Sequence, residues 1–419
     1  MGQRARGGLG ARVVWAIVAV ACAAAVVASP PAVGSEPGEV MLQAFPAPGS
    51  QSSSPATSIT LRGAPPEAIG DVEVHGTTSG PVSGRIDPLP DGSGVVFDPR
   101  ADLVPGETIE VSTEVVIAAS EDGSYAFEVA QPGTHPGVDL DAGAPGGDAE
   151  GPVANAAGDA FVTRPDLRSA PVEIHVPSSS SEPGLLFATP RLSPVNDPGI
   201  QIYDEAGELV WFHPVTADGV ASGDAFVDTY LGRRALIWFE GTAPFGGGNY
   251  RGEWVVVDET YREVARVQMG NGYQADIHDL FLTDRGTAYL MAYNPLICTG
   301  TGVLADCVVD SVVMDSVVQE IDLTTGTVLW EWHSIDHVAL SLSYIDGNPQ
   351  QFDYFHINSV AEDLDGDVLI SARNTSALYK IDKDSTEIEW TFGGQATTLT
   401  AVGEPSGVVG PDYQHHLRA

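Results

Sequence analysis

Residues 352–394 read FDYFHINSVAEDLDGDVLISARNTSALYKIDKDSTEIEWTFGG, and this stretch decides the fold. Val368–Ala372 is a mostly apolar run of strand length, and Ala377–Ile381 alternates apolar and polar residues. Both patterns predict β-strands, because successive side chains of a strand point to opposite faces. The polar residues 373–376 between them predict a turn. The stretch therefore predicts strands that meet at short turns.

Three polar side chains lie near the ends of these predicted strands: His356, Asn358 and Arg373. Polar groups at such positions often line a site, because the sheet holds them rigidly. Arginine presents a planar fork that suits sulfate, phosphate or carboxylate, and imidazole can act as a nucleophile or as an acid and base near neutral pH. The pattern alone indicates a site that handles an anion.

The same hairpin pattern recurs through the second half of the chain. Each copy has an apolar residue and Asp, then a turn, then a strand with Trp, and the copies run from Asp204 to Trp211, from Asp322 to Trp330 and from Asp382 to Trp390. A fourth copy at Asp258 has Tyr261 and no Trp. Successive Asp residues lie 54, 64 and 60 residues apart, a spacing typical of four-stranded propeller blades with insertions. We therefore predict a β-propeller at residues 161–419.

Histidines recur at a second position of the repeat, between these hairpins. His278 precedes one predicted strand pair, His356 precedes the next, and His415 follows His356 by 59 residues. Histidines that return once per blade at one structural position converge on the central channel. A zinc site is the first alternative for such a triad. Arg373 would place a fixed cation beside the metal and Asn358 is a poor zinc ligand, so we expect an anion site without metal or cofactor.

The N-terminal half divides into a leader, two linkers and a small domain. Short β runs separated by Gly, Pro and Asp turns at residues 57–131 predict a sandwich of immunoglobulin type. Pro, Ser and Gly dominate the linker at residues 29–56, and the linker at residues 132–160 is acidic and rich in Ala and Gly. The whole chain is thus expected to be all-β, with the sandwich preceding the propeller.

Residues 1–28 predict a signal peptide. Arg4, Arg6 and Arg12 form a basic region, residues 13–27 are apolar, and small residues follow at Ala28. The apolar run is short for a membrane-spanning helix, so an uncleaved membrane anchor is the lesser alternative. We expect an exported protein, either secreted or associated with the cell envelope.

The net charge of −38 is spread along the chain and suits the solubility of a secreted protein. It argues against nucleic acid as a partner, because phosphate contacts need clustered Lys and Arg. The pair Cys298 and Cys307 remains after the leader and predicts one disulfide that closes a small loop. The acidic run at Asp363, Asp365 and Asp367 could hold calcium, but an Asp-Gly hairpin turn explains it without a metal.

Six segments in order carry a resemblance to a known family: FVTRPDLRSAP, GIQIYDEAGELVWF, VVVDETYREVARV, DIHDLFLTDRGTAYLMAY, FHINSVAEDLDGDVLISARNTSALYKID and IEWTFGG. From residue 161 onward the chain resembles the arylsulfotransferase (ASST) family, exported sulfotransferases that use no nucleotide sulfate donor. The resemblance implies a six-bladed β-propeller and small-molecule partners. It also implies ping-pong transfer of a sulfuryl group from a phenolic sulfate ester to a phenol through a sulfated histidine.

The resemblance implies a role for each matching residue. His415, in the Gln-His motif, would be the nucleophile, and His416 keeps this choice open because the family often has Asp after its Gln-His. The motif around Asp279 makes that carboxylate more suited to orienting His278 or a turn than to acting itself. The resemblance also implies the residues that bind the sulfuryl group or transfer the phenol proton, which are His278, His356, Asn358 and Arg373.

At the observed repeat spacing, residues 161–419 hold about four blades and part of a fifth, fewer than the family's six. We therefore expect this sequence to be a truncated record of a longer chain. The alternative function is a catalytically degenerate or truncated propeller that serves as a binding module at the cell envelope. The sequence carries no signal for the oligomeric state, or for which phenols serve as donor and acceptor.

Overall fold

The structure is a computed structural model of the chain. It describes residues 41–120, 123–133, 161–176, 184–190, 196–217, 219–243, 249–347, 351–399 and 410–418. Regular structure in these ranges is β-strand apart from short helical turns at Pro66–Ile69, Gly302–Leu304, Ser334–His337 and Leu340–Leu342. This confirms the all-β prediction. The expected signal peptide and nearly all of the linker at residues 132–160 lie outside the described residues.

Two sheets form the N-terminal region. Their strands are β1 (Met41–Phe45), β2 (Ile59–Arg62), β3 (Glu73–Gly76), β4 (Gly80–Pro81), β5 (Gly84–Pro88), β6 (Gly94–Pro99), β7 (Thr108–Ser112), β8 (Val116–Ile117) and β9 (Ser124–Glu128). One sheet has the order β5-β6-β2-β1-β8 and the other β4-β3-β7-β9. Buried residues of both sheets, among them Leu42, Ile59, Val111 and Phe127, share one hydrophobic core. The immunoglobulin type of this region stays a prediction.

Strand β1 departs from the sequence interpretation, because it lies inside the expected linker at residues 29–56. It pairs with β2 on one side and β8 on the other, and its side chains Leu42 and Ala44 are buried. The short run MLQAF has too few residues to show a strand period by itself. Its strand structure depends on partners that are distant in sequence.

The remaining strands form four consecutive sheets in which neighbours in sequence pair antiparallel. The first sheet has β10 (Leu186–Ala188), β11 (Gly199–Tyr203) and β12 (Leu209–Pro214). The second has β13 (Ala221–Tyr230), β14 (Arg233–Thr242), β15 (Arg251–Val257) and β16 (Glu263–Val267). The third has β17 (Leu280–Leu282), β18 (Thr287–Ile297), β19 (Val312–Asp322) and β20 (Val328–His333), and the fourth has β21 (Ile357–Glu362), β22 (Val368–Ala372), β23 (Ala377–Ile381) and β24 (Ile388–Gly393). Their arrangement as propeller blades stays a prediction.

An Asp-capped hairpin closes each of these sheets. The Oδ1 atom of Asp204 accepts hydrogen bonds from the backbone N–H groups of Ala206 and Glu208, both at 2.9 Å. The same aspartate geometry recurs in the other three hairpins, at Asp258, Asp322 and Asp382. Such a side chain fixes a tight turn by bonding to the backbone a few residues onward. This local bond explains why Asp recurs once per sheet.

The N-terminal sheets pack directly on β20, the outer strand of the third sheet. The Phe45 ring lies 6.4 Å from the Trp330 ring, and Thr60 donates its hydroxyl to the Val328 carbonyl at 2.9 Å. Asp336, just beyond β20, accepts hydroxyl hydrogen bonds at 2.7 Å from Ser50 and Ser52. The contact covers a sheet edge that would otherwise be open to pairing with another chain.

The predicted disulfide between Cys298 and Cys307 is present, with 6.0 Å between the two Cα atoms. It closes the loop between the long strands β18 and β19. None of the described helices has the length and apolar character needed to cross a bilayer.

The repeated tryptophans differ in burial, and this difference predicts their contributions to stability. Trp330 is 1% exposed and donates its indole N–H to the Lys383 carbonyl, whereas Trp390 is partly exposed. We expect Trp330→Ala to lower the free energy of unfolding by about 3–5 kcal/mol, the usual cost of removing a fully buried aromatic side chain. Urea unfolding followed by far-UV circular dichroism would measure it. Trp390→Ala is the matched control with a smaller expected loss, and equal losses would contradict this interpretation.

Candidate active site

Three histidines from separate parts of the chain meet at one place. His278 lies just before β17, His356 lies directly before β21, and His415 lies in the C-terminal segment of residues 410–418, which we call the tail. The ring centroids are 5.3 Å apart for His278 and His356, 6.0 Å for His278 and His415, and 6.3 Å for His356 and His415. The structure therefore brings together the histidines that the sequence singled out.

A buried carboxylate holds the His278 ring. Asp276 Oδ1 lies 2.5 Å from His278 Nδ1 and also accepts the backbone N–H of His278 at 2.9 Å. The other oxygen of Asp276 accepts the Tyr250 N–H at 2.8 Å. Because Nδ1 is hydrogen-bonded to the carboxylate, Nε2 is the ring nitrogen of His278 that remains available to a ligand.

His356 is held in the same way by a different carboxylate. Its Nδ1 lies 2.5 Å from Asp353 Oδ2, and the ring is packed against Tyr293, with 5.6 Å between ring centroids. The residue has φ of 54°, a left-handed conformation that is unusual for a side chain other than glycine. The Arg373 N–H donates to the His356 carbonyl at 2.9 Å and helps to hold this backbone. Strain of this kind persists only where surrounding contacts enforce it.

Among the described residues no carboxylate contacts the His415 ring, and the position of His415 depends on its neighbour Gln414. The Gln414 side chain lies against the end of the β22–β23 hairpin of the fourth sheet. Its Nε2 donates to acceptors on β22 and β23, which are Ser371 Oγ at 3.2 Å, Ala372 O at 3.1 Å and Ala377 O at 2.9 Å. The Asn358 side-chain N–H donates to the Gln414 carbonyl at 2.8 Å. These bonds place the His415 backbone beside the other two histidines.

The environments of His278 and His415 shift their pKa values in opposite directions. Burial lowers the pKa of His278, but the hydrogen bond and charge of Asp276 outweigh burial and raise it above the usual value. Burial also lowers the pKa of His415, and the positive charges of the neighbouring imidazoles and of Arg373 lower it further, against a hydrogen bond to the Tyr413 carbonyl. His278 thus favours the imidazolium form and His415 the neutral form.

Arg373 follows β22 and faces the tail. Its guanidinium carbon lies 5.2 Å from the centroid of the Tyr413 ring, and its described hydrogen bond goes to the Asn374 side-chain oxygen at 3.5 Å. Neither contact neutralises the guanidinium charge. Arg373 is therefore able to bind an anion at this position.

The two ends of the Asn358 amide have different surroundings. One N–H of Asn358 Nδ2 donates to the Gln414 carbonyl, and the acceptor Oδ1 has no hydrogen-bond partner among the described residues. Within the described residues, Asn358 Oδ1, Asp353 Oδ1 and Gln414 Oε1 are buried oxygens without a hydrogen-bond partner. Buried acceptors without a partner are costly unless a ligand or water supplies a donor.

Asp279 also differs from its expected role, since Asp276 orients the His278 ring and Asp279 does not. Asp279 instead forms a paired contact with Arg418 of the tail, at 2.6 and 2.7 Å, and accepts the Val360 N–H at 3.0 Å. Sequence reasoning missed Asp276, Asp353 and Arg418. The two aspartates stand two and three residues before their histidines, so an Asp-to-His spacing was the available signal.

Two places were candidates for a metal ion. The side-chain nitrogens of His278, His356 and His415 lie within 4.8 Å of one another and are the described residues that could hold one. The acidic run of the fourth sheet is already occupied by the ammonium group of Lys380. Its Nζ lies 3.2 Å from Asp363 and 3.3 Å from Asp367, and it also contacts Asp365 and Glu389. This ammonium group supports the turn interpretation of the acidic run, because a cationic side chain there competes with calcium for the same carboxylates.

His416, the second candidate nucleophile, is not a member of the three-histidine cluster and has a left-handed backbone with φ of 67°. The structure thus brings His278, His356, Asn358, Arg373 and His415 together and leaves His416 apart.

Comparison with known proteins gives one family and weak structural likenesses. Residues 232–418 match the Arylsulfotransferase (ASST) family, and no curated protein matches the chain. A protein of unknown function from Bacteroides caccae is 14% identical, with a TM-score of 0.31, over 52% of this chain and 60% of that chain. The S-layer protein rSbsC is 11% identical, with a TM-score of 0.18, over 87% of this chain and 67% of that chain. Both structural likenesses are too weak to support an argument about fold or function.

The matched range begins at the turn between β13 and β14 and ends in the tail. It contains every residue that the sequence predicted for the site. Residues 232–418 are therefore the part of the chain that is similar to the Arylsulfotransferase (ASST) family.

Proposed function

We propose that the chain is an exported arylsulfotransferase that moves a sulfuryl group from a phenolic sulfate ester to a phenol through a sulfated His415. The observation that carries the proposal is the convergence of three histidines and Arg373 within the family-matched range. The proposal includes a propeller, in which the third and fourth sheets contribute His278 and His356 to one channel. The disulfide is compatible with export.

His415 suits the role of nucleophile because, in the part of the chain that the structure describes, its ring contacts a backbone carbonyl and no carboxylate. Its Nδ1 lies 3.4 Å from the Tyr413 carbonyl, so the proton of the neutral ring is on Nδ1 and the lone pair is on Nε2. In the first half-reaction Nε2 forms a bond to sulfur while the bond from sulfur to the phenolic oxygen breaks. The phenolate leaves and the ring becomes a sulfated imidazolium.

His278 suits the role of acid and base. As an imidazolium it donates a proton to the leaving phenolate, and as a neutral ring it takes the proton of the incoming phenol. The second half-reaction then forms the new bond from oxygen to sulfur and breaks the bond from sulfur to His415. The proton that His278 gave in the first half-reaction is restored in the second.

Arg373 suits the role of an anion clamp. Sulfuryl transfer resembles phosphoryl transfer in having a loose transition state, so catalysis rests on positioning and on stabilising the equatorial oxygens. The unpaired acceptor oxygens of Asp353, Asn358 and Gln414 match a donor such as the hydroxyl of the acceptor phenol. In this arrangement Asn358 and Asp353 serve the acceptor, and Arg373 serves the sulfuryl group.

The roles of His415 and His416 give the first test. With 4-nitrophenyl sulfate as donor and a phenol as acceptor, we expect release of nitrophenol that depends on the acceptor. His415→Ala should reduce this release on the order of 10³-fold or more, because the covalent route is lost. His416→Ala is the matched control and should retain most activity. Nitrophenol absorbance provides the measurement.

Three results would count against this assignment: undiminished release by His415→Ala, an equal loss in His416→Ala, or no acceptor-dependent release at all. Treatment with a chelator tests the metal alternative for the same histidines. Loss of activity with the chelator and recovery with zinc would assign the three rings to a metal ion.

The opposed pKa shifts predict a bell-shaped pH dependence. Activity should rise as pH increases through the lowered pKa of His415, which must be neutral, and fall as pH increases through the raised pKa of His278, which must be protonated. Asp276→Asn removes the charge that raises the His278 pKa, so the alkaline limb should move to lower pH while the acid limb stays. Profiles of kcat/KM in the wild type and in Asp276→Asn measure both limbs, and an unmoved alkaline limb would exclude His278 as the acid.

A further inference from the structure

The tail reaches the site along a tightly constrained route. It enters beside the end of β24, where a Cβ atom added at Gly410 would lie 2.4 Å from Gly393 Cα. A residue other than glycine at position 410 would therefore displace the tail, and its φ of 90° also favours glycine. From there the Asp412 carboxylate accepts a hydrogen bond from Ser376 Oγ at 3.3 Å. The fourth sheet thus holds the tail on the side that precedes His415.

A second set of contacts holds the tail on the side that follows His415. The Leu417 N–H donates to Ser359 Oγ at 2.7 Å, which ties the tail to β21. The Arg418 guanidinium donates to both oxygens of Asp279, at 2.6 Å from Nη1 and 2.7 Å from Nη2. Asp279 lies at the start of the third sheet, so this pair joins the tail to a different sheet. His415 therefore lies between an anchor on the fourth sheet and an anchor on the third.

The Asp279 carboxylate is an unusually firm anchor. Its side chain is 2% exposed, and one of its oxygens also accepts the Val360 N–H from β21. A two-bond arginine contact fixes orientation as well as distance, and a carboxylate this deeply buried is unfavourable without a cation. A single residue, Asp279, thereby holds the tail, the third sheet and the fourth sheet together next to the histidines.

We propose that Asp279 and Arg418 are positioning residues that hold the His415 segment against His278 and His356. The effect on catalysis rests on the function proposed above, whereas the effect on the tail does not. A displacement of about 1 Å of a reacting group can cost on the order of 10²-fold in rate, so loss of this anchor should lower kcat without removing any group that contacts substrate. The pair differs in this respect from Arg373, which faces the sulfuryl group.

The experiment uses the full chain with Arg418→Gln, Asp279→Asn and the double variant, each checked for an unchanged far-UV circular dichroism spectrum. We expect amide hydrogen exchange in residues 410–418 to be faster by about tenfold or more in both single variants. We also expect kcat for 4-nitrophenyl sulfate to fall on the order of 10²-fold with little change in KM. The double variant should be no worse than either single variant, because both remove the same interaction. Arg418→Lys should rescue part of the loss.

Arg285→Gln is the matched control. Arg285, like Arg418, forms ion pairs with a carboxylate side chain, in its case with Glu320 and Glu362, but it lies at the turn between β17 and β18. It should leave both tail exchange and kcat unchanged. Asp279→Asn distinguishes a loss of positioning from a direct effect of charge on the rate. Removing a negative charge near the anionic sulfate donor would by itself maintain or raise kcat, whereas loss of the Arg418 contact should lower it.

Unchanged exchange of the tail in both single variants would overturn the proposal, as would a wild-type kcat in Asp279→Asn. If the wild type transfers no sulfuryl group, the proposed function fails, and the exchange measurement still decides whether this pair holds the tail.

Discussion

The scarcity of positive charge constrains the whole structure. The chain has 57 acidic residues against 19 Lys and Arg, and carboxylates cannot be buried without a partner. Lys380 contacts four partly or largely exposed carboxylates at once, and Arg418 compensates the buried Asp279. Arg373 differs from these two cations, because its guanidinium faces an aromatic ring and an amide. The contacts of Arg373 leave its charge available for an anion, in a protein where most surroundings would repel one.

The same constraint distinguishes the histidines from one another. His278 and His356 each have a carboxylate on Nδ1, as zinc-binding and catalytic histidines commonly do, whereas His415 has a backbone carbonyl. The Asp276 carboxylate raises the pKa of His278 and so favours its imidazolium, whereas burial and the neighbouring positive charges lower the pKa of His415 and favour its neutral ring. These two rings of one residue type can therefore take different protonation states within a few ångströms. Chemistry that needs a neutral nucleophile beside a proton donor requires that difference.

Features that depend on local contacts could be read from the sequence, and features that depend on distant contacts could not. The Asp of each hairpin bonds to its own turn, so its recurrence was visible, as was the close pair of cysteines. Strand β1 was missed because both of its partners are distant. Arg418 was missed because Asp279 is 139 residues away. The calcium alternative arose for the same reason, since Lys380 reaches the acidic run from the neighbouring strand.

The N-terminal sheets bear on the site through the third sheet. The outer strands of that sheet are β17 and β20. Phe45 and Thr60 of the N-terminal sheets contact β20, whereas β17 begins directly after the site residues His278 and Asp279. A sheet transmits displacement from one outer strand to the other, because its interior is close-packed and its ladder is continuous. The N-terminal region therefore packs on one outer strand of the sheet whose other outer strand directly follows His278 and Asp279, so these two residues and the N-terminal region share one close-packed element.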